Sequence, residues 1–248
     1  GRIIMSKIAI IIPSRLDAVR LPNKPLELIN NKEMILHVYE AAKKTDSEVY
    51  VATPDQKIID VINQNKGKAV FTSTDHQTGT DRIYEVFKDH LNSEPNLIIN
   101  LQGDMPNIEP QAISNLINYM KEGNCDIGTL ASSFSSDDEL ADENNVKVAA
   151  KEKLTNGKFS EALDFFRKDS NEYENYYHHV GIYAFTNKAL VRYVSLKRSK
   201  LELERKLEQL RALENSMSIH VGYINSSPLS VDTKNDLMEV RKIMEKSS

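Results

Sequence analysis

Apolar and polar positions along this chain fall into blocks whose period changes, and the blocks predict strands followed by helices. Residues 7–12 are β-branched and almost wholly apolar, as in a strand buried on both faces of a parallel sheet. A helix begins near Met34, with Ile35, Val38 and Ala42 on one face. Residues 48–53 read as a second strand, and a helix through Ile58, Val61 and Ile62 follows it. A short apolar piece at 69–72, a polar loop at 75–82 and a helix to about His90 come next. Residues 97–101 form another fully apolar strand. The acidic stretch 137–145 reads as a loop, 146–149 and 180–185 as strands of a second lobe, and 200–213 as one charged amphipathic helix. Repeated strand-helix alternation implies an α/β fold with a doubly wound, mostly parallel sheet and helices on both faces. The economical organisation is one domain over 1–248 with a smaller inserted lobe at roughly 146–215; no internal repeat or low-complexity linker divides it.

Composition narrows the function classes. A chain of 248 residues can bury a large core. The net charge of −4, with basic residues dispersed or paired with acids, argues against a nucleic-acid surface. One cysteine, Cys125, excludes an internal disulfide and any multi-cysteine metal site, and reads as a buried thiol. No apolar stretch approaches the ~20 residues needed to cross a bilayer, and no signal-peptide pattern opens the chain, so a cytoplasmic protein is expected. Residues 1–4 precede what reads as a natural start at Met5.

Charge changes the picture most at residues 13–26. Arg15, Arg20 and Lys24 follow the first strand within ten residues, and Pro13, Pro22 and Pro25 restrict the segment that carries them. In open α/β sheets ligands bind outside the carboxyl ends of strands, so this spacing suits a polyphosphate; the competing reading is a solvated basic loop. Asp104 and Asp232 each follow a strand-like segment and can converge on one Mg²⁺ if both ends face one cleft. Magnesium takes a few carboxylates and completes its octahedron with water and phosphate oxygens. Gly103 would let the backbone beside Asp104 approach a ligand, although an isolated Gly-Asp or Asp-Thr is commonly only a turn or a cap.

These residues resemble the sugar-activating nucleotidyltransferases, and more narrowly the cytidylyltransferases that couple CTP to 3-deoxy-manno-octulosonate (Kdo). The resemblance runs through Pro13-Ser14-Arg15, Arg20-Leu21-Pro22, Lys24-Pro25-Leu26, 75–82, 100–104, 145–148, 179–183, 207–211 and 231–233. It implies attack of an anomeric hydroxyl on the α-phosphorus of CTP, with Mg²⁺ on Asp104 and Asp232 as cofactor. It implies that Arg20 and Lys24 hold the β- and γ-phosphates and that Arg15 serves the nucleotide or the phosphate nearest the reaction. Pro13, Ser14 and Gln102 would read the cytosine. Thr78 and Gly79 match a nucleotide-contacting turn, against the alternative of a tight turn before a helix capped by Thr80 or Asp81. Arg82 would meet a phosphate or an internal carboxylate. Arg167, His179, Glu208 and Gln209 match positions near the sugar. His178 and His179 raise the thought of a metal, which their opposite directions on a strand weaken. Glu202 and Glu204 read as a solvated helix face. The partners implied are CTP and an acidic 2-keto sugar, with a homodimer and a place in lipopolysaccharide synthesis; neither nucleic acid nor membrane is expected as a partner.

Departures from the family pattern gather on the sugar side. Met105 stands where a glutamate is usual, Phe166 where a serine is usual, and Arg205 where an acid is usual; the loop from Arg167 to His179 is shortened. Pro54 replaces an acid after Val51-Ala52-Thr53. They leave open 8-amino-Kdo or another 2-keto acidic sugar as the acceptor, a related enzyme using a sugar 1-phosphate, and a nucleotide-binding protein without catalysis.

Overall fold

The computed structural model describes residues 7–246, so the expected start at Met5 lies outside the described residues. Two compact units divide the described residues: one comprises 7–114 with 228–246, the other 115–227.

In the first unit the apolar run becomes strand β1 (Ile8–Pro13), with Ile10, Ile11 and Ile12 fully buried. A single 3-10 turn at Lys24–Leu26 and the two-residue strands β2 (Leu28–Ile29) and β3 (Lys32–Glu33) lead into helix α1 (Met34–Lys43). Strand β4 (Glu48–Thr53), helix α2 (Gln56–Gln64) and strand β5 (Ala69–Phe71) follow. Helix α3 (Gly79–Glu85) continues as a π-helical turn at Val86–His90, and β6 (Leu97–Leu101) is buried throughout. The strand order here is β5-β4-β1-β6 and every pairing is parallel, with Ile10 opposite Val49 on one side and Ile99 on the other. That explains the unbroken apolar runs: strands covered on both faces have no polar alternation to show. The boundary between the units falls within helix α4 (Pro110–Met120).

The second unit is a mixed sheet in the order β10-β7-β11-β9-β8: β7 (Ile127–Ser132), β8 (Lys147–Ala150), β9 (Phe159–Phe166), β10 (Tyr176–Thr186) and β11 (Ile219–Tyr223). Only β11 with β7 is parallel; β10 with β7 and β8, and β9 with β8 and β11, are antiparallel. Two expectations are corrected here. The acidic stretch is not all loop, since Asp137–Ala141 forms a short helix, α5, capped by the Ser136 hydroxyl on Glu139 N (3.1 Å). Asp137, Asp138 and Glu139 in its first turn suit the positive end of the helix dipole. The charged helix at 200–213 is broken: after α6 (Asn187–Ser195) come α7 (Lys200–Arg205) and α8 (Leu210–Glu214), parted by Lys206 in the left-handed region at φ 58°.

The chain then returns to the first unit as helix α9 (Lys234–Lys246). Val231, Leu237 and Val240 pack there with Leu21, Ile29 and Met34, so a residue of the basic loop shares a core with the last helix.

Candidate active site

Backbone anchors fix the basic loop. Ser14 N donates to Ala52 O (3.0 Å), Leu16 N to the carboxylate of Asp55 (2.9 Å) and Asn23 N to Leu16 O (3.1 Å), while Leu21 is buried. The three cations each meet a carboxylate. Arg15 pairs with Asp17, Arg20 Nη1 lies 2.9 Å from Asp232 Oδ2, and Lys24 Nζ lies 3.9 Å from Asp104 Oδ2. Both aspartates singled out as metal ligands are therefore brought to the same loop, each against a different cation.

Asp104 leaves β6 through Gly103. A Cβ on Gly103 would sit 3.2 Å from Ile35 Cδ1 and 3.5 Å from the Pro13 carbonyl, so the missing side chain lets this turn lie against the end of β1. The Asp104 carbonyl accepts from Val231 N (2.8 Å) and its carboxylate from the Ser230 hydroxyl (3.2 Å). Burial pushes the Asp104 carboxyl up, Lys24 and Ser230 oppose that, and the charge of Asp232 adds to it.

The expectation that Asp232 follows a strand is corrected. Strand β11 ends at Tyr223, and Asp232 instead precedes α9, where the Asp236 carboxylate accepts from Asp232 N and Thr233 N, both at 3.0 Å, and Asp236 N donates to Thr233 Oγ1 (3.2 Å). This is a capping box, and Thr233-x-x-Asp236 was its signal in the sequence. Ser230 and Asp236, which hold the two aspartates, were missed. Among the described residues no group of three or more His, Cys, Asp and Glu is placed to cage an ion. Two carboxylates with a polyphosphate-sized set of cations beside them fit Mg²⁺, which draws its remaining ligands from water and phosphate.

Thr78 caps α3, its hydroxyl accepting from Asp81 N (3.1 Å), which replaces the expected cap at Thr80 or Asp81. A Cβ on Gly79 would lie 3.3 Å from Pro13 Cγ, so the start of α3 is seated against the end of β1. Gln102 is half-buried at the end of β6. Arg82 meets no carboxylate within ion-pair distance among the described residues; it is buried, with Nη1 donating to Thr72 Oγ1 (2.6 Å) and Ser73 O (2.7 Å).

The sugar-side candidates all lie in Asn115–Ser227. Arg167 donates to four backbone carbonyls: Arg205 (3.0 Å), Lys206 (3.2 Å), Glu143 (3.3 Å) and Asn144 (3.5 Å). Lys147 is likewise held by the carbonyls of Asp142, Asn145 and Arg167. His179 and Thr129 are 2.9 Å apart, and because the Thr129 hydroxyl donates to Ile182 O (2.6 Å), the imidazole Nε2–H is assigned as donor to Thr129. Burial, with the neighbouring His178, lowers the His179 pKa to about 3, so the ring is neutral at physiological pH. His178 pairs with Glu139 (3.1 Å) and stacks on Phe134, away from the partners of His179. Gln209 is buried ahead of α8, and the carbonyl of half-buried Glu208 accepts from the Tyr193 hydroxyl (2.9 Å).

Glu202 is not on a solvated face. It is 2% exposed, accepts from Arg211 Nε (2.9 Å) and Nη2 (2.7 Å) and from Ser199 N (2.9 Å), and Arg211 in turn lies over the Tyr193 ring. Glu204 stays exposed. Arg205 is taken up internally as well, donating to Asp164 (2.8 Å) and Phe165 O (2.8 Å), while the Tyr173 hydroxyl donates to the other Asp164 oxygen (2.7 Å). Met105 is buried, and Cys125 is buried with its thiol pushed up to about 12 by desolvation.

A family model described as cytidylyltransferase matches residues 9–219. A 3-deoxy-manno-octulosonate cytidylyltransferase of Rickettsia bellii (strain OSU 85-389) is 43% identical over 242 residues, covering 97% of both chains. The chain belongs to the 3-deoxy-manno-octulosonate cytidylyltransferase family. The cytidylyltransferase of Bartonella henselae with the same description is 41% identical over 239 residues, covering 95% of this chain and 97% of its own. A solved structure of CMP:2-keto-3-deoxy-manno-octonic acid synthetase complexed with CTP superposes with a TM-score of 0.87 at 35% identity, covering 98% of this cytidylyltransferase and 100% of that chain. The fold is therefore that of the nucleotide-diphospho-sugar transferases, as expected from the alternating strands and helices, and the protein is a nucleotidyltransferase. Among the described residues no helix is long and apolar enough to cross a membrane.

Proposed function

We propose that this cytidylyltransferase couples CTP to Kdo, giving CMP-Kdo and pyrophosphate for lipopolysaccharide synthesis. The observation that carries the reading is the meeting of Arg20 with Asp232 and of Lys24 with Asp104 on one anchored loop, in a chain alike over nearly its whole length to enzymes named for this reaction. The anomeric hydroxyl oxygen forms a bond to the α-phosphorus, the α–β bridging bond breaks with its electron pair leaving on pyrophosphate, and the hydroxyl proton passes to solvent.

Catalysis of this kind rests on positioning and on neutralising charge that builds on the leaving group. Arg20 and Lys24 release Asp232 and Asp104 to hold the β- and γ-phosphates, and Arg15 binds the nucleotide phosphate nearest the reaction. Asp104 and Asp232, once released, would hold Mg²⁺, and an ion bound there would supply Lewis-acid polarisation of the phosphate and of the attacking hydroxyl. The Pro13 and Ser14 backbone with Gln102 reads the cytosine edge, and the Thr78-Gly79 turn supports the nucleotide. The lobe at 146–215 is assigned the sugar and the homodimer contact. His179, neutral and with Nδ1 as the acceptor of this tautomer, takes a sugar hydroxyl together with Glu208 and Gln209. Arg167 contributes through the one Nη2 hydrogen that its carbonyl clamp leaves. The enzyme works in the cytoplasm, where CTP is made.

Two of the sequence departures lose their bearing on the sugar. Arg205 is consumed by Asp164 and Phe165, and Met105 packs in the core, which supports Kdo over a modified acceptor. Pyrophosphate release with Mg²⁺ and CTP is the test, comparing Kdo, 8-amino-Kdo and no sugar, with UTP and dTTP as controls. Release with CTP and Kdo is expected; release with the amino sugar alone, or with UTP and Kdo alone, overturns the assignment.

A further inference from the structure

Four charged side chains are buried among the described residues, and three are balanced within the fold: Lys147 by three carbonyls, Glu202 and Arg211 by one another. Arg82 is not. Its Nη1 donates to Thr72 and Ser73, but its Nη2 is buried with no hydrogen bond. Desolvation weighs most on this guanidinium, and the next influence is the like charge of Arg15; Glu85, Asp55 and Asp17 act on it only from beyond ion-pair distance. The Ser14 hydroxyl, directly before Arg15, is a second buried polar group without a hydrogen bond.

Strand order brings these groups to the same end of the sheet. Ser14 N is tied to Ala52 O and Thr72 N to Thr53 O (3.1 Å), so both segments hang from the carboxyl end of β4, one on the β1 side and one on the β5 side. The start of the helix that carries Arg82 is seated against Pro13. A buried cation with neither a carboxylate nor a full set of carbonyls costs stability, and a second cation beside it adds to that cost. An anion with several acceptor oxygens cancels both, and a phosphate set against two guanidinium forks does so with strong, charge-assisted bonds.

We propose that Arg82, with Arg15 and the Ser14 hydroxyl, forms the receptor for a phosphate group of the bound nucleotide, Arg15 leaving Asp17 to close on it. This rests on the nucleotide reading above and moves Arg82 from support of the fold to a specific part of the substrate. Side-chain rotation on that scale is common when partners bind.

Isothermal titration in EDTA, with CMP, inorganic pyrophosphate and cytidine as separate ligands, tests it without turnover. Arg82→Met should weaken CMP or pyrophosphate by about tenfold or more while cytidine changes less than about twofold, and Arg82→Lys, which keeps the charge and folds more safely, should fall between. In an Arg15→Gln background the same substitution should cost less than about threefold, because the shared anion is already loosened. Phosphate ligands bound as tightly by both Arg82 variants as by the wild type overturn the receptor, and so does an equal loss for all three ligands, which would return Arg82 to holding residues 72–73. No binding of CMP or pyrophosphate by the wild-type protein would instead overturn the nucleotide reading itself.

Discussion

The two units treat charge differently. In the first, the loop cations and the two aspartates form loose pairs: Arg20 and Asp232 are each 55% exposed, and the half-buried Lys24 stands 3.9 Å from Asp104, too far for a hydrogen bond. In the second, Glu202 and Arg211 are nearly sealed from solvent and doubly bonded, and Arg167 and Lys147 are clamped by backbone carbonyls. Exposed pairs contribute little and exchange readily, whereas buried pairs cost much to break. The proposed handover of the loop's charges to a ligand draws on the first kind, and the shape of the second unit rests on the second.

The comparison breaks most visibly if Glu202→Ala is tolerated. That substitution leaves Arg211 buried and unpaired and should cost about 3–5 kcal/mol, read as a lower denaturant midpoint with unchanged slope. Asp232→Ala should do the reverse, lowering kcat by about 10²- to 10³-fold in the pyrophosphate assay while the melting temperature of the ligand-free protein stays within a few degrees. Full turnover in that variant would remove Asp232 from the site.

A finer distinction concerns His179. Its folded pKa of about 3 lies below the unfolded value near 6.5, so the stability of the neutral, half-buried ring is complete above pH 6.5 and is lost as pH falls toward the folded value. Stability should therefore decline from about pH 6.5 to 4.5, by at most about 1.4 kcal/mol per pH unit, before most carboxylates titrate. His178, also lowered by burial, acts in the same direction, and His179→Gln should flatten the larger share of the slope. An unchanged slope would place the ring in contact with solvent.

Legibility in the sequence followed the same division. Runs such as 97–101 and 48–53 were readable because strands covered on both faces are mostly apolar, and Arg15, Arg20 and Lys24 announced themselves by following one. The second unit's strands β7, β9 and β11 were not read, since Gly128, Glu161, Asp164 and His220 interrupt any apolar run. Glu202 looked like a surface charge because nothing local shows that Arg211, nine residues on, turns inward after the break at Lys206. The setting of Asp232 was not legible: a coil and a capping box, rather than a strand end, bring its segment to Asp104.

One hydrogen bond, from Val231 N to Asp104 O, closes a loop of more than a hundred residues and has a consequence for synthesis. A nascent chain that has emerged only as far as residue 227 lacks Asp232, Ser230 and the helix that covers Leu21, Ile29 and Met34. Long-range closure of this kind comes late, because its entropy must be met before its contacts form. The candidate site is thus completed only when residues 228–246 join it, and a translation product truncated at 227 carries the loop cations but not Asp232.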